Sequence, residues 1–124
     1  MNIPDNLLYT HDHEWIKIID GIATIGVTDY AQGQLGDIIF IEFPNVGTEF
    51  FTGDSIGTIE AVKTVADIYA PLDGNIVEIN LHLDDNPDVV NIDPYGKGWI
   101  LKLNNLSKDL SHLMSPSKYQ EIIK

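Results

Sequence analysis

The sequence has no cysteine and no arginine. The first absence removes disulfides, thiolate metal sites and a cysteine nucleophile, and it fits a reducing compartment. The second removes the planar fork that grips carboxylates and phosphates in two places at once. Positive charge is scarce altogether: seven lysines against nineteen Asp and Glu leave a formal net charge of -12 over 124 residues. Such a surface repels phosphate backbones, which argues against nucleic acid as a partner, while it keeps the chain soluble and steers basic partners towards it. Long apolar runs are missing too. None approaches the roughly 20 residues that cross a bilayer, so no membrane partner is expected. The opening MNIPDNLLYT has no basic stretch followed by an apolar one. The expectation is a chain mature as written, bacterial and cytoplasmic, with the mitochondrial matrix after import as the other location.

What is present is β-sheet patterning. Alternating apolar residues bounded by Gly, Pro, Asn and Asp fill Trp15 to Ile19, Ile22 to Val27, Ile38 to Phe43, Ser55 to Val62, Ile68 to Ala70, Asn75 to Leu81 and Trp99 to Leu103. Seven short strands imply an all-β sandwich or barrel, and the length allows one domain over residues 1–124. Asp20-Gly21 reads as a tight hairpin turn, and Asp73-Gly74 after Pro71 as a second. Short peripheral helices are expected in three places. Thr28 can cap one that runs to Leu35 and stops at Gly36; Leu106 to Met114 places Leu110, Leu113 and Met114 on one face; and Ser115-Pro116 opens a third towards Ile123. Residues from about 107 to 124 thus form a helical C-terminal segment packed on the domain.

The inventory for catalysis is poor. There is no glycine-rich phosphate loop and no Gly-x-Ser-x-Gly elbow. His11 and His13, on a strand, share one face with Asp12 pointing away, a pair better read as a polar strand start than as half a metal site. Asp84, Asp85 and Asp93 form an acidic group, but in so acidic a chain most carboxylates are solvated surface. Lys63 stands apart. It lies midway between two β runs, near a hairpin tip, between Val62 and Thr64, with no other lysine within thirty residues on either side. An exposed tip can carry a side chain into another protein's active site without unfolding the body. On geometry alone, however, a solubilising lysine on a turn is the favoured reading.

Four stretches change that balance. Tyr9-Thr-His-Asp-His13-Glu14-Trp15 is similar to the opening motif of the H proteins of the glycine cleavage system, which ends in His-Glu-Trp. Ile25-Gly-Val-Thr-Asp29-Tyr-Ala-Gln32-Gly-Gln-Leu35-Gly36-Asp37 resembles that family's Gly-Ile-Thr-(x)2-Ala-Gln-(x)2-Leu-Gly. Glu60-Ala61-Val62-Lys63, continuing past Thr64 to Asp67 and Pro71, resembles its Glu-Ser-Val-Lys, with Ala61 in place of the usual Ser. Asn91-Ile-Asp-Pro94-Tyr95-Gly-Lys-Gly98-Trp99 resembles its Pro-Tyr-x-x-Gly-Trp element. The match runs through nearly the whole chain.

The resemblance implies a barrel-sandwich hybrid of the lipoyl and biotinyl carrier kind, a protein with no catalytic residue, and lipoate held in amide linkage on Lys63. It also implies a shuttle. The oxidised dithiolane takes the aminomethyl group left when a pyridoxal phosphate glycine decarboxylase releases carbon dioxide. An aminomethyltransferase then passes the one-carbon unit to tetrahydrofolate and frees ammonia, and dihydrolipoyl dehydrogenase restores the disulfide. A lipoate-attaching enzyme is the fourth partner. The sulfur comes with the cofactor, which reconciles such chemistry with a chain lacking cysteine. Glu14 is implied as an anchor for the loaded arm's amine, with Asp67 as a candidate second contact; otherwise Glu14 is an exposed strand-end residue. The alternatives are a lipoyl domain of a 2-oxoacid dehydrogenase complex, a lipoyl-relay protein, and a biotin carrier, for which Val62 and Thr64 are the wrong neighbours. From another class, a small β-sheet enzyme using Glu14 and His13 as acid and base would need a further pocket residue.

Overall fold

The computed structural model describes residues 1–123, in which nine strands form two antiparallel sheets. In chain order the elements are β1 (Leu8–Tyr9), β2 (Glu14–Ile19), β3 (Ile22–Val27), α1 (Asp29–Leu35), β4 (Ile38–Glu42), β5 (Glu49–Phe50), β6 (Ser55–Ala61), β7 (Val65–Tyr69), β8 (Gly74–Ile79), α2 (His82–Asp85), α3 (Val89–Ile92), β9 (Leu101–Asn105) and α4 (Pro116–Ile122). The larger sheet has the order β1-β2-β3-β9-β8-β5 and the smaller β4-β6-β7. Alternation in each strand turns one set of side chains inward. Ile16, Ile25, Ile76, Leu101 and Leu103 of the larger sheet meet Ile41, Ile59 and Ile68 of the smaller in one buried cluster.

Local chemistry explains the elements that position the site. Asp20 and Gly21 both have positive φ, 51° and 78°, as the two central residues of the β2–β3 hairpin require. Thr28 Oγ1 accepts from the Ala31 N–H to start α1, and Gly36, at φ 80°, ends it by donating its N–H to the Gln32 carbonyl. Ser115 caps α4 in the same way, with Pro116 at its first position.

Three expectations are corrected. Leu106 to Met114 is not helical. Asn105 and Asp109 accept from the N–H groups of Ser107 and Ser111, local bonds that compete with a helix, and Met114 pairs with Tyr9 as an isolated bridge. The helical part of the C-terminal segment is therefore α4 alone among the described residues. Asp73-Gly74 is not a hairpin turn: β7 and β8 belong to different sheets, and neither residue has positive φ. Gly74 is needed for close approach instead, because a Cβ there would strike the Asn104 carbonyl oxygen. His11 to His13 is not a strand but a turn closed by His13 N–H to Thr10 O, with His13 itself at φ 66°. The two imidazoles therefore share no strand face.

Candidate functional site around Lys63 and Glu14

Lys63 sits at the tip of the β6–β7 hairpin. Ala61 N–H donates to Thr64 O at 2.8 Å and closes a turn of four residues, leaving Val62, Lys63 and Thr64 exposed. Ala61 is itself buried, so the small residue that stands where the resembling family has Ser is held inside the turn. Glu60 points outward in the sheet, opposite Phe40 on one side and Val65 on the other.

The tip is braced from below. Val62 N–H donates to Asp37 O at 3.0 Å, which ties the turn to the residue after the α1 cap. Lys63 lays its stem beside Gly36, whose missing Cβ would lie 3.4 Å from Lys63 Cε. That corner is fixed by Asn91, whose amide donates to Gly36 O at 2.8 Å while its oxygen accepts from Ile38 N–H at 3.0 Å. Three of the four motif stretches thus meet around one lysine.

A cleft of about 260 Å³ opens between this hairpin and α1. Ile59 and Ala66, cross-strand partners in the hairpin, form one wall; Tyr30, Ala31 and Leu35 of α1 form the other. Glu14 and Asp67 both face into it, so the two residues expected to meet the loaded arm share one cavity.

Glu14 is not the exposed strand end of the alternative reading: only 2% of it is accessible. Its Oε2 accepts from Tyr69 N–H at 2.7 Å and its Oε1 from the Thr10 hydroxyl at 3.2 Å. Burial pushes its carboxyl up to about 8, the two hydrogen bonds pull the other way, and the nearby Asp12 carboxylate adds to the rise. Asp67 is exposed, with weak bonds from Ser55 Oγ and Tyr69 OH at 3.3 and 3.4 Å. Glu14 also borders a second, more open cleft of about 340 Å³ on its far side, lined by His11, His112 and Pro71. That cleft has no residue of β6 or α1 in its lining, whereas the smaller one is walled by both strands of the Lys63 hairpin and by α1.

Trp15 and Tyr95 make packing and hydrogen-bond contacts that tie the motif stretches together. Trp15 is buried and donates Nε1–H to Pro94 O at 3.0 Å, and its ring leaves no room for a Cβ at Gly26. The Tyr95 hydroxyl accepts from Asp29 N–H and donates to Asn2 O. Asp84, Asp85 and Asp93 do not converge, since no group of three His, Cys, Asp or Glu among the described residues is placed to hold a metal. No helix of the described residues is long and apolar enough to cross a membrane. Sequence reasoning passed over Tyr119, fully buried, with its hydroxyl 2.9 Å from His13 Nδ1 and 2.7 Å from Thr28 Oγ1. Its one signal was a large aromatic in a largely polar terminal helix.

Comparison with known proteins agrees with this arrangement. A family model described as glycine cleavage H-protein matches residues 7–124. A glycine cleavage system H protein of Listeria monocytogenes is 50% identical over 124 residues, covering 99% of both chains. One from Chlorobaculum tepidum is 53% identical over 126 residues, covering 99% of this chain and 98% of the relative. The crystal structure of a glycine cleavage system H protein from Mycobacterium marinum superposes with a TM-score of 0.91 at 38% identity, over 97% of this chain and 98% of that one. The match extends through the hairpin, the cleft and the terminal helix, and the chain belongs to the glycine cleavage H-protein family.

Proposed function

We propose that the whole chain acts as one lipoyl-carrier domain of the glycine cleavage system, with the lipoyl group in amide linkage on Lys63. One observation carries the reading: the tip that presents Lys63 is hydrogen-bonded at its base to Asp37 and stands beside a cleft containing a buried carboxyl group. A solubilising lysine on a turn needs neither. When attached, lipoate supplies the sulfur chemistry, taking up the aminomethyl group, yielding it to the tetrahydrofolate enzyme and returning to the disulfide.

The chain's own residues present and protect. Lys63 projects from a rigid hairpin into solvent, within reach of the active sites of a pyridoxal phosphate glycine decarboxylase, an aminomethyltransferase and dihydrolipoyl dehydrogenase. Tethering keeps the cargo at roughly millimolar effective concentration near a docked partner. The apolar walls at Ile59, Ala66 and Leu35 exclude water from a labile cargo. Glu14 and Asp67 receive its terminal ammonium by charge-assisted hydrogen bonds. Glu14 is largely protonated in the empty cleft at neutral pH, since its carboxyl stands near 8, and an arriving cation favours the carboxylate. Docking of the loaded arm therefore expels a proton. Glu60, Val62 and Thr64 are the exposed motif residues read by the lipoate-attaching enzyme, while the buried Ala61 shapes the turn beneath them and offers no hydroxyl to recognise. The bacterial sources of the relatives support a cytoplasmic setting.

Intact mass and peptide mapping of protein made with and without lipoate test the assignment. A single lipoyl adduct on Lys63 is expected. An adduct on Lys97 or Lys102, or none, overturns it.

A further inference from the structure

We infer that Tyr119 is a positioning residue: from the C-terminal helix, its hydroxyl ties the end of the arm cleft that presents Glu14 to the α1 wall and sets how firmly the loaded arm is held. The inference rests on the carrier reading of that cleft.

Tyr119 is fully buried, its ring stacked on Tyr9 at 4.7 Å between centroids and 6° between planes. The stack anchors α4, and it consumes the ring's apolar surface. The hydroxyl does something else. On one side it lies 2.9 Å from Nδ1 of His13, the residue immediately before Glu14. On the other it lies 2.7 Å from Oγ1 of Thr28, the cap of α1. His13 and Glu14 form the end of the cleft; Tyr30, Ala31 and Leu35 on α1 form its side. One oxygen therefore bridges both.

A continuous chain of bonds satisfies the three groups. Thr28 Oγ1 accepts from Ala31 N–H and has its own hydrogen available for the Tyr119 oxygen. Tyr119 is then free to donate its hydrogen to His13 Nδ1, the arrangement of a neutral imidazole with its N–H at Nε2. Burial acts in the same sense, lowering the His13 imidazole below its ordinary range and holding the phenol up at about 12. The His13 backbone needs such support. It lies at φ 66°, a conformation a non-glycine residue seldom adopts, and its carbonyl accepts from Thr28 N–H at 3.0 Å. The ring is further held against Tyr30, 4.9 Å away. Loss of the phenolic oxygen breaks the side-chain link between the turn that presents Glu14 and the helix opposite it, while the Tyr9 stack keeps α4 in place.

The test is Tyr119→Phe in the full chain, with Tyr119→Leu as the variant that also loses the stack. In unmodified protein, nitrogen NMR of the His13 ring is expected to lose the hydrogen-bonded Nδ1 signal in the Phe variant, and the His13 pKa to move up because the neutral ring has lost its donor. Amide exchange is expected to quicken at both ends of the link, at Gln32 on α1 and at Tyr69 beside Glu14. In lipoylated protein charged from glycine by the decarboxylase and then separated from it, the loaded form is expected to decay roughly three- to tenfold faster, the range of one ordinary hydrogen bond. The rate of lipoylation at Lys63 is expected to stay at the parent value. An unchanged His13 signal, exchange that quickens at one end of the link only, or an unchanged decay rate overturns the inference. A parent chain that takes no lipoyl group at Lys63 defeats the carrier reading instead, and the imidazole and exchange measurements, which need no arm, still decide whether Tyr119 ties the His13 turn to α1.

Discussion

The carboxyl of Glu14, at the first residue of β2, accepts a 2.7 Å hydrogen bond from the N–H of Tyr69, at the last residue of β7. The bond joins the larger sheet to the smaller at the end of the arm cleft, so a single buried group is both a structural tie and the candidate receptor for the cargo. Its two duties have separable consequences.

The structural one is read in pH. Burial raises the Glu14 carboxyl from an ordinary 4.5 to about 8, so the folded chain binds a proton that the unfolded chain releases earlier. The stability this contributes is fully present below about pH 4.5 and is lost as pH rises through about 8. Glu14→Gln removes the titration. Thermal unfolding of the variant is expected to change less than the parent's between pH 5 and 8, and to occur at a higher temperature than the parent's above pH 8. Parallel curves contradict the raised carboxyl.

The functional one is read in lifetime. Glu14→Gln retains size but cannot become a carboxylate, so the loaded form is expected to lose its aminomethyl group to water faster than the parent does. Lipoylation is expected to proceed at the same rate. Because docking expels a proton, protection in the parent is expected to strengthen from pH 6.5 to 8 and in the variant to lack that rise. Equal decay of the two proteins removes the anchoring role.

The brace beneath the hairpin makes a third expectation. Asn91→Ala leaves Gly36 O and Ile38 N–H without their side-chain partner, a loss of about 1 to 3 kcal/mol for partly buried groups. Denaturant unfolding measures it, and faster amide exchange at Val62 reports the loosened tip. Full stability with an unaltered tip contradicts the bracing role.

The two tryptophans differ in burial. Trp15 is buried, and Trp15→Ala is expected to cost about 3 to 5 kcal/mol. Trp99 is only half-buried, under the Lys102 ammonium at 5.0 Å, and its loss is expected to cost less than that of Trp15. Equilibrium unfolding of the two variants side by side decides; a larger loss for Trp99 reverses the assignment.

The acidic body carries a fifth expectation. With a net charge of -12, association with the decarboxylase is expected to quicken as salt falls, because screening at about 0.15 M limits charge interactions to roughly 8 Å. Stopped-flow association over a salt series measures it. An on-rate independent of ionic strength contradicts steering.

Much of this was legible in the sequence because the decisive signals are local. Period-two alternation marked β2, β3, β4, β6 and β8, Thr28 and Ser115 marked two helix starts, and the run from Glu60 to Asp67 marked the hairpin. The failures share a cause. β1 and β5 are two residues each and owe their geometry to partners across the sheet, and α2 and α3 are single turns too short to show a period. Gly74 reads as a turn glycine, whereas its actual constraint is a close approach to Asn104 that only the folded sheet creates. Leu106 to Met114 has a helical stripe, but the side chains of Asn105 and Asp109 accept from backbone N–H groups two residues on and win. The burial of Glu14 and the bridge at Tyr119 are long-range, spanning 55 and 106 residues along the chain, and no window of sequence contains them.

The central claim is that Lys63 carries the arm that receives the aminomethyl group. Glycine labelled at carbon 2 is incubated with lipoylated protein and glycine decarboxylase, and the label is located by peptide mapping. The account predicts the label on the peptide containing Lys63, and none on Lys63→Arg protein of parent stability. Label on any other residue, or label retained by the Arg variant, contradicts it.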